Sequence, residues 1–127
     1  MPSKAKILII DDDAPIRHVL GQTLTAEGYE VATAGNVGEA LEMCSRDSFG
    51  VIMTDIIMPE QSGFQAISAL AGLQPDARLI AMSGGWNGSA ESFLRMAGRM
   101  GVSRTLSKPF GKRAMLDAIE GDPPLPA

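Results

Sequence analysis

Four apolar segments of the sequence each end in polar residues that could take part in chemistry. These residues are Asp11, Asp12, Asp13, Asp55, Ser83 and Lys108. Carboxylates held close together repel one another by several kcal/mol at intermediate dielectric, and a hard divalent cation relieves that repulsion. Oxygen ligands favour Mg²⁺, which usually keeps several of its waters. With a hydroxyl and an ammonium group beside it, such a cation would supply the positioning and charge neutralisation that phosphoryl transfer needs.

The segments that must position these residues alternate between strand and helix along the chain. Strands are predicted over Lys6–Ile10, Glu30–Thr33, Val51–Thr54, Arg78–Met82 and Val102–Leu106. Helices are predicted from Pro15 to Gly28, from Val37 to about Ser45, over Phe64–Ala71 with Gly72 as the end, near Ser89–Arg99 and around Ala114–Ile119.

This alternation predicts an α/β fold with a doubly wound, five-stranded parallel sheet and helices on both faces, which makes three layers. In the flavodoxin-like strand order 2-1-3-4-5, the carboxyl ends of strands 1, 3, 4 and 5 are neighbours. We therefore expect the polar residues that follow those strands to share one crevice.

Four blocks of the sequence resemble the signature blocks of response regulator receiver domains. The blocks are Lys6–Asp13 (KILIIDDD), Met53–Pro59 (MTDIIMP), Met82–Gly84 (MSG) and Ser107–Phe110 (SKPF). Their order and spacing resemble the family from about Lys6 to Ile119. Gly63 also occupies the position of the glycine that opens the third helix in that family.

The resemblance implies a Mg²⁺ site built from four residues. Asp12 would bind the metal directly, Asp11 would bind it through a water, and Ile57 would contribute its backbone carbonyl beside Asp55. We expect Asp13 to act at the start of the first helix rather than as a ligand, because an acid there complements the helix dipole.

The resemblance also implies the phosphoryl chemistry. Asp55 would accept a phosphoryl group from a phosphohistidine on a sensor histidine kinase or a histidine phosphotransfer protein. Ser83 and Lys108 would each bind a phosphoryl oxygen, and a conformational change would signal to a downstream protein target. Such a chain catalyses only its own phosphorylation and dephosphorylation, so we do not expect an enzyme.

Three positions bear on how the phosphoryl signal is read and lost. Thr105 stands where the family usually has Tyr or Phe, which puts the usual aromatic readout in doubt without affecting phosphorylation. Ile57 and Gly85 occupy positions that tune hydrolysis of the acyl phosphate in the family. Neither side chain can orient a water, so we expect self-hydrolysis that is not fast.

Two other function classes remain open. Asp11 and Asp13, with Ser83 and Lys108, resemble the haloacid-dehalogenase phosphatase arrangement, in which Asp11 would be the nucleophile. That family normally has Thr or Val where this chain has Ala14, and it leaves Asp55 without a role. The other alternative is a receiver that is not phosphorylated and serves only as an interaction module.

Length and composition set the remaining expectations. A chain of 127 residues fits one domain. We predict that this domain covers residues 1–121 and that residues 122–127 form a disordered tail. The possibility that the chain is a domain excised from a longer protein remains open. The net charge of −4 disfavours direct nucleic-acid binding. One cysteine, Cys44, fits a reducing compartment, and no apolar run approaches ~20 residues. We expect a cytoplasmic monomer or weak homodimer without membrane contact.

Overall fold

The computed structural model describes residues 5–55, 63–84, 102–108 and 110–121, with the backbone alone at 63–66, 83–84 and 107–108. Several predictions lie outside the described residues, namely those for Ile57, Gly85, the helix near 89–99 and the tail at 122–127. The proposed domain limits therefore stay a prediction.

Five parallel strands and four helices make up the described part of the chain. The strands are β1 (Lys6–Ile10), β2 (Glu30–Ala34), β3 (Val51–Asp55), β4 (Arg78–Gly84) and β5 (Arg104–Lys108). The helices are α1 (Ala14–Ala26), α2 (Val37–Arg46), α3 (Gly63–Leu73) and α4 (Lys112–Glu120). The strand order is β2-β1-β3-β4-β5, which confirms the predicted doubly wound, flavodoxin-like sheet. None of the helices in these described segments is long and apolar enough to span a membrane.

The core lies on both faces of the sheet because alternate residues of each strand point to opposite sides. In β1, Ile7 and Ile9 pack with residues of α1 and α4, whereas Leu8 and Ile10 pack with residues of α2 and α3. All four side chains are fully buried, and burial of each stabilises the fold by about 1.5–3 kcal/mol. The continuous apolar run of this strand is thus explained by its two buried faces.

Both ends of α1 are fixed by local hydrogen bonds. At its start, the Asp13 carboxylate accepts the Ile16 N–H at 3.2 Å, which confirms the prediction for Asp13. At its end, Gly28 has a φ of 96°, a conformation that glycine adopts without steric cost. The N–H groups of Gly28 and Tyr29 donate to the carbonyls of Thr25 and Leu24 at 3.0 and 3.1 Å. This Schellman arrangement turns the chain directly into β2.

Several predicted boundaries differ from the structure. Helix α3 continues through Gly72 to Leu73, because Gly72 is exposed and a mid-helix glycine costs only about 1 kcal/mol. Strand β4 continues to Gly84, two residues beyond the predicted end at Met82, and β5 begins and ends two residues later than predicted. Pairing of Gly84 with Lys108 explains both shifts, since backbone hydrogen bonds between parallel strands do not depend on apolar side chains.

Candidate functional site

The carboxyl ends of four strands lie side by side at one edge of the sheet. Asp11 follows β1 directly, and Asp55 is the last residue of β3, in register with Met82 of β4. One residue further along β4, Ser83 is in register with Ser107 of β5. Lys108 ends β5 and is in register with Gly84. The fold therefore brings the backbone of every described candidate residue to the same edge.

Asp11, Asp12 and Asp55 form a compact group, which we call the acidic triad. One carboxylate oxygen from each residue can be chosen so that all three lie within 4.8 Å of one another. Asp11 is fully buried and Asp55 is 5% exposed, while Asp12 is exposed to solvent. At 4.8 Å and an effective dielectric of 20, two carboxylates repel by about 3.5 kcal/mol. The predicted proximity of these three residues is confirmed.

The donor chemistry of the triad fits a hard divalent cation. Carboxylates supply only oxygen ligands, which Mg²⁺ and Ca²⁺ prefer over the nitrogen and sulfur ligands typical of zinc sites. Exposure of Asp12 gives the group an opening to solvent. A cation at this position would also offset the repulsion between the buried carboxylates of Asp11 and Asp55.

Backbone contacts hold Asp11 in place. Its carboxylate accepts the N–H of Asp13 at 2.9 Å, and its own N–H donates to the carbonyl of Ala34 at 3.2 Å. The Arg17 guanidinium donates through Nη1 to the Asp11 carbonyl at 2.6 Å. Arg17 was not predicted from the sequence, since six residues separate it from Asp11 and no local pattern links a helix residue to that carbonyl.

The residue before Asp55 is fully buried and bonds to the Asp55 backbone. The hydroxyl of Thr54, which is not exposed at all, donates to the Asp55 carbonyl at 3.2 Å. Thr54 therefore satisfies its own hydroxyl at the end of β3 without competing for the Asp55 carboxylate. Sequence reasoning treated Thr54 only as a strand residue.

The remaining candidate residues are placed only in part. Ser83 and Lys108 lie at the same edge by their backbone, and Ile57 lies outside the described residues.

Cys44 is buried on α2 and burial raises the pKa of its thiol, which agrees with a structural cysteine rather than a reactive one.

Comparison with known proteins identifies relatives with the same architecture. Residues 7–120 match the family model described as response regulator receiver domain. The chemotaxis protein CheY of Thermotoga maritima is 31% identical over 115 residues, which are 90% of this chain and 93% of that protein. The transcriptional regulator NtrC of Azospirillum brasilense is 34% identical over 118 residues, 93% of this chain and 24% of that protein. The chain thus spans about a quarter of the length of several regulators that it resembles.

A solved structure shows the same likeness in three dimensions. It is a response regulator protein from Burkholderia pseudomallei, crystallised with a phosphorylated aspartic acid, calcium ion and citrate. The two chains are 30% identical with a TM-score of 0.82, and the match covers 91% of this chain and 66% of that one.

Proposed function

This chain belongs to the response regulator receiver domain family, and we propose that it accepts a phosphoryl group on Asp55 in a Mg²⁺-dependent reaction. The convergence of the acidic triad at the carboxyl edge of the sheet is the observation that carries the proposal. A phosphorylated aspartic acid and a calcium ion in the Burkholderia pseudomallei response regulator support it.

The proposed reaction is a transfer from nitrogen to oxygen. A carboxylate oxygen of Asp55 attacks the phosphorus of a phosphohistidine, a new O–P bond forms, and the N–P bond breaks to leave the donor imidazole. When bound, the metal ion neutralises charge on the transferred group. Asp11, Asp12 and the Ile57 carbonyl would hold that ion, and Ser83 and Lys108 would bind phosphoryl oxygens. Electrostatic positioning of this kind accounts for most of the catalysis in phosphoryl transfer.

The proposed partners follow from this reaction. A sensor histidine kinase or a histidine phosphotransfer protein would donate the group, and a downstream protein would read the phosphorylated state. We expect a monomer or weak homodimer that makes no direct contact with nucleic acid or a membrane. Its catalysis would be limited to its own phosphorylation and dephosphorylation. We also propose a cytoplasmic location, where ATP is available to the kinase as the source of the phosphoryl group. Residues 1–121 would form the receiver unit and 122–127 its tail.

Phosphorylation by a small donor tests the proposal without knowledge of the kinase. The protein is incubated with acetyl phosphate and Mg²⁺, and phosphorylated and unphosphorylated forms are separated on a phosphate-affinity gel. We expect a shifted band that is lost in Asp55→Asn and when EDTA removes the metal. Asp13→Asn is the matched control, because Asn can keep the capping hydrogen bond and Asp13 lies outside the triad. A shifted band that persists in Asp55→Asn would contradict the assignment.

The same experiment separates the alternatives. A haloacid-dehalogenase-like phosphatase would be modified on Asp11, so Asp11→Asn would abolish its labelling and Asp55→Asn would spare it. An interaction module would take up no phosphoryl group in any variant.

A further inference from the structure

Arg17 reaches back from α1 to the turn that carries two members of the acidic triad. Its own N–H is bonded to the Asp13 carbonyl at 3.0 Å, so it lies one turn inside the helix. Its guanidinium Nη1 donates to the Asp11 carbonyl at 2.6 Å. A short bond from a charged donor is among the stronger hydrogen bonds in proteins.

The same guanidinium lies against the turn between β2 and α2. A Cβ added to Gly35 would come within 3.2 Å of Arg17 Nη1 and 3.5 Å of its Cζ, so glycine leaves the room that the guanidinium occupies. The neighbouring carbonyl of Ala34 accepts the Asp11 N–H at 3.2 Å. Asp11 is therefore bonded directly to the backbone of Ala34, and the guanidinium that holds its carbonyl lies beside Gly35.

From these contacts we infer that Arg17 is a positioning residue for the metal site, which fixes the peptide between Asp11 and Asp12 and so raises the affinity of the triad for a divalent cation. The inference rests on the proposed function, since it concerns the same site. The Asp11 carbonyl belongs to the peptide that leads into Asp12. That peptide orients an exposed carboxylate, which would otherwise move away from the buried charges of Asp11 and Asp55.

Two effects of the arginine oppose each other, and the geometry decides between them. A positive charge near a cation site repels the cation, whereas a fixed ligand frame saves the cost of ordering it on binding. Arg17 as a residue is half-buried, so solvent screens part of its charge, and its guanidinium is bonded to a backbone carbonyl at 2.6 Å. We therefore expect positioning to outweigh repulsion.

Calorimetric titration of the metal-free protein with MgCl₂ tests the inference. We expect Arg17→Met, which keeps the aliphatic bulk and removes every donor, to weaken Mg²⁺ binding by about tenfold, as is typical for groups that orient metal ligands. Arg17→Lys keeps a donor and should recover most of the affinity. Affinity in Arg17→Met equal to or tighter than in the wild type would overturn the inference.

Folding of the variants is controlled separately. Arg17 lines an open groove beside Val31 and Thr33, so a shorter side chain leaves no sealed cavity, and the metal-free melting temperature should change little. If Arg17→Met does not fold, Gly35→Ala tests the same contact, because its Cβ displaces the guanidinium by a few tenths of an ångström. It should weaken Mg²⁺ binding less than Arg17→Met, and unchanged affinity would count against the inference.

The wild-type titration separates failure of the proposed function from failure of the inference on Arg17. A wild type that binds no Mg²⁺ would defeat the proposed function together with the inference. A wild type that binds Mg²⁺, loses it in Asp12→Asn and keeps it in Arg17→Met would defeat the inference alone.

Discussion

Replacement of Asp12 by Asn should stabilise the metal-free protein and remove its response to Mg²⁺. Asp12 is the exposed member of the acidic triad, and its carboxylate lies within 4.8 Å of both buried carboxylates. Asn has nearly the same size and shape, so the change removes one charge and leaves the packing intact. Two of the three repulsive pairs in the triad disappear with that charge.

The magnitude follows from the distance and the exposure. At 4.8 Å a pair of carboxylates repels by about 0.9 kcal/mol in water and by about 3.5 kcal/mol at an effective dielectric of 20. Because Asp12 is exposed, the value near 1 kcal/mol applies to each of its two pairs. Some repulsion among residues 11–13 persists in the unfolded chain, so we expect a net gain of about 1–2 kcal/mol in the free energy of unfolding.

Urea unfolding with and without MgCl₂ measures this effect. At a Mg²⁺ concentration one hundred times its dissociation constant, the wild type gains about 2.7 kcal/mol by mass action, whereas Asp12→Asn gains little. The order of stability should therefore reverse when Mg²⁺ is added. Asp13→Asn is the control and should lose up to about 1 kcal/mol, because it removes a favourable charge from the start of α1. A metal-free Asp12→Asn protein less stable than the wild type would show that repulsion within the acidic triad does not destabilise the fold.

Three further predictions concern other parts of the molecule. Burial and a hydrogen bond to the Glu120 carboxylate raise the pKa of Tyr29, the single tyrosine, above its usual value near 10. The folded state then keeps a proton that the unfolded state loses, so stability is full below about pH 10 and falls as the pH rises beyond it. Urea midpoints measured across this range should fall less in Tyr29→Phe, and an equal fall in both proteins would contradict the assignment. Gln74→Ala should cost about 2–4 kcal/mol of unfolding free energy, because its buried amide bonds the Phe49 N–H and the carbonyls of residues 44 and 47 at 2.9–3.1 Å. A loss under 1 kcal/mol in urea unfolding would show that water replaces those bonds. Thr105→Tyr should leave the extent of labelling by acetyl phosphate unchanged, because the exposed Thr105 side chain lies outside the triad. A large loss of label would show that this position affects the chemistry as well as the readout.

The sequence was sufficient to predict that the acidic triad converges. The apolar run before Asp11 and the run before Asp55 are local signals of buried strands, and both are confirmed. The flavodoxin-like strand order 2-1-3-4-5 places β1 beside β3, so the residues that end these strands must meet. That step therefore needed the assumed strand order as well as the local pattern.

Strand limits were predicted less well because pairing decides them. Val102 and Leu106 are apolar, which predicted a strand over these residues, and both are buried in the structure. In the structure Val102 packs into the core from the loop before β5, and the strand extends instead to the polar residues Ser107 and Lys108. Pairing with the backbone of β4 sets these limits, and the pattern of apolar residues does not indicate where that pairing begins and ends.

Helix α1 shows the limit of periodicity in another way. Val19 recurs at helical spacing with Leu20 and Leu24, yet Val19 is 58% exposed while the two leucines are buried. A helix beside an edge strand buries only a narrow stripe, so residues at the border of that stripe remain in solvent.

The contacts of Arg17 and Gln74 lie beyond sequence reasoning for a different reason. Each side chain bonds to backbone groups distant in the chain or across a turn, and any residue type offers the same backbone atoms. No pattern of residue types can mark such an acceptor. These contacts become visible only when the fold brings the backbone segments together.

The location of the phosphoryl group decides whether Asp55 is the phosphoacceptor. The wild-type protein, labelled with acetyl phosphate and Mg²⁺, is reduced with borohydride to fix the acyl phosphate position and is then sequenced by tandem mass spectrometry. We predict a single modified residue, Asp55, and none when EDTA replaces Mg²⁺. Modification at Asp11, or no modification at any aspartate, would contradict the account.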